Sequence, residues 1–187
     1  MDTEDFQSLY DSKTDDQTKE LIERLHDISQ KFPPSDSEKM GSVPNELLAE
    51  LKTLGFFGLD IPEAYGGLGL SLLQSLRVVE SMATQNLDLG ITALAHLSIG
   101  TKGIILFGTE EQIRKYLGPA ASGNMIFSYA LTEPRIGSDA KNIETTAVLD
   151  DSGEYYILNG QKTYITNANY AGGLSVFAQL DFQHPAS

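Results

Sequence analysis

The stretch best equipped for chemistry is Tyr129-Ala130-Leu131-Thr132-Glu133-Pro134-Arg135-Ile136-Gly137-Ser138-Asp139. It combines a hydroxyl at Thr132, a proline turn, and Gly137-Ser138. Backbone N–H groups around a glycine in a turn form a concave anion site, and a serine hydroxyl adds a donor. On residue types alone, a polar turn linking two domains explains the same stretch, and both readings stand. Other chemistries are poorly supported. Ser138 has no His-Asp pattern beside it that would make it a triad nucleophile. His26, His96 and His184 lack the short i, i+4 spacing of a metal site, and each is expected to be structural or superficial. No metal site is expected. There is no cysteine, which excludes disulfides, Cys-ligated zinc and thiol nucleophiles.

The elements that must position this stretch follow from periodicity. Thr14-Asp15-Asp16-Gln17 has capping-box spacing, and Leu21, Ile22, Leu25 and Ile28 continue as a helix up to Pro33-Pro34. A second helix is expected from Pro44, with Leu47, Leu48, Leu51 and Leu54 on one face and Gly55 as its cap. Ile61 to Leu70 is a Gly-rich connector. It lacks the spacing of a phosphate loop or a dinucleotide fingerprint, so a tight loop between helices is expected. Ser71 and Gln74 form another capping box, followed by a stripe at Leu72, Leu76, Val79 and Ala83. Ile91 to Phe107 is apolar on most sides and suggests a central buried helix. Thr109 and Gln112 start one more, with Ile113, Tyr116 and Leu117 facing in. After Gly123 the period changes. Met125–Leu131, Thr145–Leu149 and Leu174–Leu180 read as strands, and Asp150–Gly153 as a turn. Tyr155–Leu158, Asn159-Gly160 and Gln161–Thr166 give the plainest hairpin signal, with Tyr155 and Tyr156 in the strand core. The fold class expected is α+β, with a helical unit over 1–123 and a β-rich unit over 124–187.

Composition narrows the function. The chain has 187 residues, 41% hydrophobic and 21% charged, which suits a globular protein with a real core. Its net charge is -13, so it repels phosphate backbones and no nucleic-acid partner is expected. Residues 1–40 carry 11 acidic and 5 basic side chains, read as a solvated helix face and a loose terminus. Residues 1–16 are acidic, with Lys13 the one basic side chain, unlike a secretory or transit leader. No apolar run of about 18 residues is free of charge, so no membrane span is expected. A cytoplasmic protein is the default.

Leu131-Thr132-Glu133-Pro134 with Gly137-Ser138-Asp139 resembles the flavin-binding signature of the acyl-CoA dehydrogenase family. Leu158-Asn159-Gly160-Gln161-Lys162-Thr163-Tyr164-Ile165-Thr166-Asn167 resembles its second signature. Gly55 to Leu59, Pro62 to Gly69 and Phe107 to Gln112 match upstream, so the likeness covers about residues 40–180 in five ordered motifs. His96 to Gly100 with Lys102-Gly103-Ile104 is similar to the very-long-chain branch. The resemblance implies a helical front domain, a middle antiparallel β-barrel and a rear helix bundle, of which this chain holds the first and part of the second. It implies FAD as cofactor, acyl-CoA thioesters as substrates, dehydrogenation at the α and β carbons, an electron-transfer flavoprotein or similar acceptor, and a homo-oligomer when full length. By motif position, Tyr129, Ala130, Leu131 and Thr132 line the flavin, and Gly137 and Ser138 lie near its phosphates. Ser138 also contacts the CoA side, and Tyr164, Ile165 and Thr166 pack on the ring. Glu133 is expected to be structural. Arg135 stands where the family has smaller residues and either meets a phosphate or crowds the loop. Tyr164 stands where Trp is common. The family's catalytic Glu belongs to the rear bundle, so no catalytic residue is expected among these 187 and the isolated chain is expected to be inactive. The alternatives are an acyl-CoA oxidase on the same fold and a non-catalytic acyl-CoA-binding or interaction protein. Open sheet edges would make the chain prone to associate.

Overall fold

The computed structural model describes residues 15–35 and 43–180. Helix α1 (Asp16–Lys31) starts at Asp15, whose carboxylate accepts from the Thr18 N–H at 3.0 Å and the Thr18 hydroxyl at 2.8 Å. The cap thus falls one residue after Thr14, which lies outside the described residues. The Thr18 N–H and hydroxyl hold the Asp15 carboxyl at about pKa 2. Helix α2 (Asn45–Leu54) follows Pro44 and ends on Gly55 at φ 81°, a left-handed conformation that suits glycine. The connector after it then folds back on itself. Leu68 N–H donates to Gly58, Gly69 to Ile61 and Leu70 to Leu59. Gly67 makes that return possible, since a Cβ there would stand 2.0 Å from the Ile61 carbonyl oxygen.

Helix α3 (Leu72–Gln85) carries the Ser71/Gln74 capping box. Its inner face is Ser75, Val78, Val79 and Met82, whereas Leu72 and Leu76 are exposed. The expected stripe is therefore rotated about the helix axis. The Gln74 amide reaches Asp15 at 2.8 Å, and Val78 and Met82 join Leu21 and Leu25 of α1 in one core. Leu21, Leu25, Leu47, Leu51, Phe56, Phe57, Val78 and Met82 close the main core.

Leu87–Phe107 is one helical stretch in three parts: α4 (Leu87–Leu94), a π-helical turn over Ala95–Gly100, and α5 (Lys102–Phe107). By length and composition this 21-residue stretch, with mean hydropathy 1.5 over its most apolar part, is long enough to cross a membrane. Here Leu89, Ala93, His96 and Leu97 are buried in the helical unit, while Ile91, Leu94 and Phe107 are exposed. The π turn is where the strands dock. Gly100 lies so close to β1 that a Cβ would meet Phe127 Cβ at 2.8 Å, and Ser175 donates to its carbonyl. Helix α6 (Glu110–Ala121) begins with the Thr109/Gln112 box.

Five short strands follow: β1 (Phe127–Ala130), β2 (Thr146–Leu149), β3 (Tyr156–Asn159), β4 (Gly173–Val176) and β5 (Gln179–Leu180). The helical front and the sheet region match the α+β expectation. Within it the pairing differs from a uniformly antiparallel barrel. β1 and β4 are parallel, β2 and β3 antiparallel, and β2 and β5 parallel, in two separate sheets. A parallel pair needs a long crossover, and the β2–β3 hairpin sits inside the β1-to-β4 connection. That hairpin turns at Asp150–Gly153, not at Asn159-Gly160. Gln161–Thr166 forms no strand, because Lys162 and Thr163 are drawn across to Leu131–Glu133 and cannot return along β3. Leu174–Leu180 likewise breaks into β4 and β5. Tyr155 and Tyr156 are exposed, since no described element covers β3.

Candidate functional site

The first signature leaves β1 at Ala130 and turns at Glu133–Ile136, which bond each other reciprocally through the backbone. Glu133 is buried and accepts four hydrogen bonds. They come from the Glu144 N–H at 2.6 Å, the Thr145 N–H at 2.9 Å, the Thr145 hydroxyl at 2.6 Å and Lys162 Nζ at 2.8 Å. Burial opposes its charge, but Lys162, Thr145 and the Glu144 N–H outweigh burial and hold the carboxyl at about 2. The structural role expected of it is what it has. Arg135 spans to Glu144 with contacts of 2.7 and 2.8 Å, in solvent. It does not crowd Gly137, around which a Cβ would meet nothing within 4 Å.

The second signature is brought to the first by its own backbone and one side chain. Lys162 Nζ donates to the Leu131 carbonyl at 2.9 Å, and Thr163 N–H to the Thr132 carbonyl at 3.0 Å. Beyond that bridge Tyr164 adopts φ 55° and its residue is 92% exposed. Asn167, at φ 70°, secures the far end. Its amide donates to the Thr92 and Phe127 carbonyls at 3.0 and 3.3 Å, and its oxygen accepts from Tyr170 at 2.7 Å. Asparagine tolerates the left-handed region better than most residues, which suits it to this place. Lys162 and Asn167 were not singled out by sequence reasoning. Their membership in the second signature was the available signal.

Of the expected site residues, Ala130 is buried, and Tyr129, Leu131, Thr132 and Ile165 are half-buried. Gly137, Ser138, Tyr164 and Thr166 are exposed. Tyr129 packs on Phe177 with ring centroids 4.7 Å apart. The hydroxyls of Thr132, Ser138 and Thr166 make no hydrogen bond among the described residues. Three spare hydroxyls and one projecting aromatic ring thus belong to the two clamped signatures. The surface is open. Two cavities lie elsewhere: one of about 660 Å³ beside Leu48, Phe57, Thr92 and Tyr170, and one of about 380 Å³ between α5, α6 and β4. His96 is structural. Its Nδ1 accepts from the Phe127 N–H at 2.9 Å and its Nε2 faces the Phe57 and Ala120 carbonyls at 3.1 and 3.2 Å, so Nε2 carries the proton. Burial pushes its pKa below 6.5, against the opposing pull of those carbonyls and of Asp60.

The architecture is thus a helical front domain followed by a sheet region that carries two signatures clamped together. Residues 15–124 match the acyl-CoA dehydrogenase N-terminal domain and residues 128–186 the middle domain, so the chain belongs to the acyl-CoA dehydrogenase family. It is 42% identical over 177 residues to the very long-chain specific acyl-CoA dehydrogenase, mitochondrial, of Homo sapiens, covering 92% of this chain and 27% of that one. It is 39% identical over 144 residues to the caffeyl-CoA reductase-Etf complex subunit CarC of Acetobacterium woodii, covering 77% and 38%. The structure of an acyl-CoA dehydrogenase complexed with FAD from Bacillus anthracis superposes with a TM-score of 0.82 at 37% identity, covering 91% of this chain and 30% of that one. The chain thus spans about a quarter of the length of the curated long-chain relatives it matches.

Proposed function

We propose that the chain is the FAD- and thioester-binding portion of an enzyme that dehydrogenates acyl-CoA at the α and β carbons. The observation that carries this is the match of residues 15–124 and 128–186 to the family's N-terminal and middle domains, with the clamp between the two signatures holding Leu131 and Thr132 against Lys162 and Thr163. Tyr129 to Thr132 and Tyr164 to Thr166 would hold the flavin ring. Gly137 and Ser138 would take its phosphates, with Ser138 also turned to the CoA. Bound FAD supplies the hydride-accepting chemistry. The protein's own part is orientation and donation of hydrogen bonds to charge that develops at the site, with Thr166 as the donor nearest the reactive edge. None of these residues is assigned as the base that takes the α proton. The name of the Acetobacterium relative, a subunit of an Etf complex, supports an electron-transfer flavoprotein as acceptor. Exposed Leu72, Leu73 and Leu76 on α3 support a homo-oligomer for the whole protein.

The test is the absorbance of the purified chain from about 300 to 500 nm, with flavin release and anaerobic addition of a long-chain acyl-CoA. Bound FAD supports the reading. Bleaching by acyl-CoA would show that a base is available to this chain after all. Absence of any flavin, in this chain and in a longer product of the same reading frame, would overturn it.

A further inference from the structure

Two backbone segments must keep a fixed separation if one ligand is to touch both, and in this protein one ammonium group spans them. Lys162 is 12% exposed at its side chain and Glu133 3%. The ammonium meets the Leu131 carbonyl at 2.9 Å and Glu133 Oε1 at 2.8 Å. Glu133 in turn is fixed by the Glu144 and Thr145 N–H groups, at the threshold of β2. One residue further on, Thr163 N–H bonds the Thr132 carbonyl. The next residue, Tyr164, takes the left-handed φ that throws its ring into solvent. Lys162 therefore joins three things: the strand end at Leu131, the acidic turn and the start of the projecting loop.

We propose that Lys162 is a positioning residue that sets the spacing and register of the two ligand-facing segments, with Glu133 as the buried anchor of its ammonium. The functional half of this inference rests on the flavin reading above. The geometric half does not. A buried charge-assisted contact is directional and short, so it holds a distance more tightly than apolar packing does. Removing the ammonium while keeping the stem, as in Lys162→Met, leaves Glu133 with its backbone partners but frees the Leu131 end. Lys162→Arg keeps the charge within reach of Glu133. Glu133→Gln loses the ion pair with little change in shape.

The absence of cysteine allows two spin labels to be placed alone, at Ser138→Cys and Ala168→Cys, both exposed. Pulsed electron-spin distance measurement should give a narrow distribution for the parent and for Lys162→Arg, and a broadened or shifted one for Lys162→Met and Glu133→Gln. Far-ultraviolet circular dichroism checks that the helical unit stays intact. If Lys162→Met fails to fold, Glu133→Gln decides. In unlabelled protein, FAD affinity should fall about tenfold in Lys162→Met and recover in Lys162→Arg. The visible flavin bands should shift in the same order, which a general loss of stability would not produce. Distance distributions unchanged in Lys162→Met and in Glu133→Gln would overturn the positioning role. A parent that binds no FAD, either as this chain or as the longer product, would instead overturn the flavin reading, and the distance arm would still decide the positioning role.

Discussion

His96 offers the sharpest quantitative test of how the helical unit holds the first strand. The ring is fully buried, takes the Phe127 N–H on Nδ1, and offers Nε2–H to the Phe57 and Ala120 carbonyls. Replacing it by leucine, of similar bulk, orphans the Phe127 N–H and strips a donor from the Phe57 carbonyl. The Ala120 carbonyl keeps Gly123 N–H. Two buried groups at about 1–3 kcal/mol each put the loss for His96→Leu on the order of 2–6 kcal/mol. Acid should act at the same point. A proton on Nδ1 would set one donor against another. The pKa is depressed in the folded state and near 6.5 in the unfolded chain, so below 6.5 the unfolded state binds the extra proton. The neutral-ring contribution is then fully present above 6.5 and drains away as pH falls toward the folded value. Stability therefore falls as the pH drops below 6.5. Urea unfolding followed by circular dichroism, repeated above and below that pH, should show this slope in the parent and its loss in His96→Leu. Parallel pH profiles for the two proteins would refute the neutral-staple argument, whatever the absolute cost of the substitution.

Four further outcomes are expected. Gly67→Ala should cost about 3 kcal/mol, lowering the thermal midpoint by roughly 6–12 °C, because its Cβ would enter the Ile61 carbonyl. Gly66→Ala has open space and only the left-handed φ 84° against it, so its cost should stay near 1 kcal/mol. Asp15→Ala should destabilise by about 1 kcal/mol in urea titrations through loss of the α1 cap. Glu133 is held at about 2 against an ordinary 4.5, so its contribution is present above pH 4.5 and is lost as pH falls toward 2. An acid-unfolding titration should therefore lose part of its slope over that range in Glu133→Gln.

What could be read in the sequence was local. Ser71 with Gln74, Thr109 with Gln112, and Gly55 each act within one helical turn, so spacing alone specifies them. The rotation of α3 was not readable, because its inner face packs on Leu21, Leu25 and Ile28, far back in the chain. The hairpin reading at Asn159-Gly160 failed for the same kind of reason. Its turn chemistry is sound, but Gly160 serves a close approach to Thr145, where a Cβ would stand 2.3 Å from the hydroxyl, and the next residues are claimed by the first signature. Alternating β propensity cannot outbid a buried ion pair that arrives from 29 residues away. The side chains proposed to face the flavin were reached through motif likeness, whereas Lys162, Asn167 and His96 owe their roles to partners invisible in any short window.

The way the site is fastened also says how it can vary. The anchors of the second signature are backbone carbonyls, at Leu131, Thr132, Thr92 and Phe127, bound by Lys162, Thr163 and Asn167. The side chains of Thr132, Ser138 and Thr166 take no part in that fastening. Loop placement and ligand chemistry are thereby assigned to different atoms. Hydroxyl-removing changes such as Ser138→Ala and Thr166→Val strip donors without touching an anchor, so they bear on what is bound rather than on whether the loop is held. Changes at Lys162 or Asn167 disturb the frame, and whatever the hydroxyls would bind is disturbed with it. Thr92 carries that frame back to α4, just before the π turn on which β1 and β4 dock. Ordering of the helical unit and of the Tyr164 loop is therefore coupled through two backbone carbonyls and one asparagine side chain.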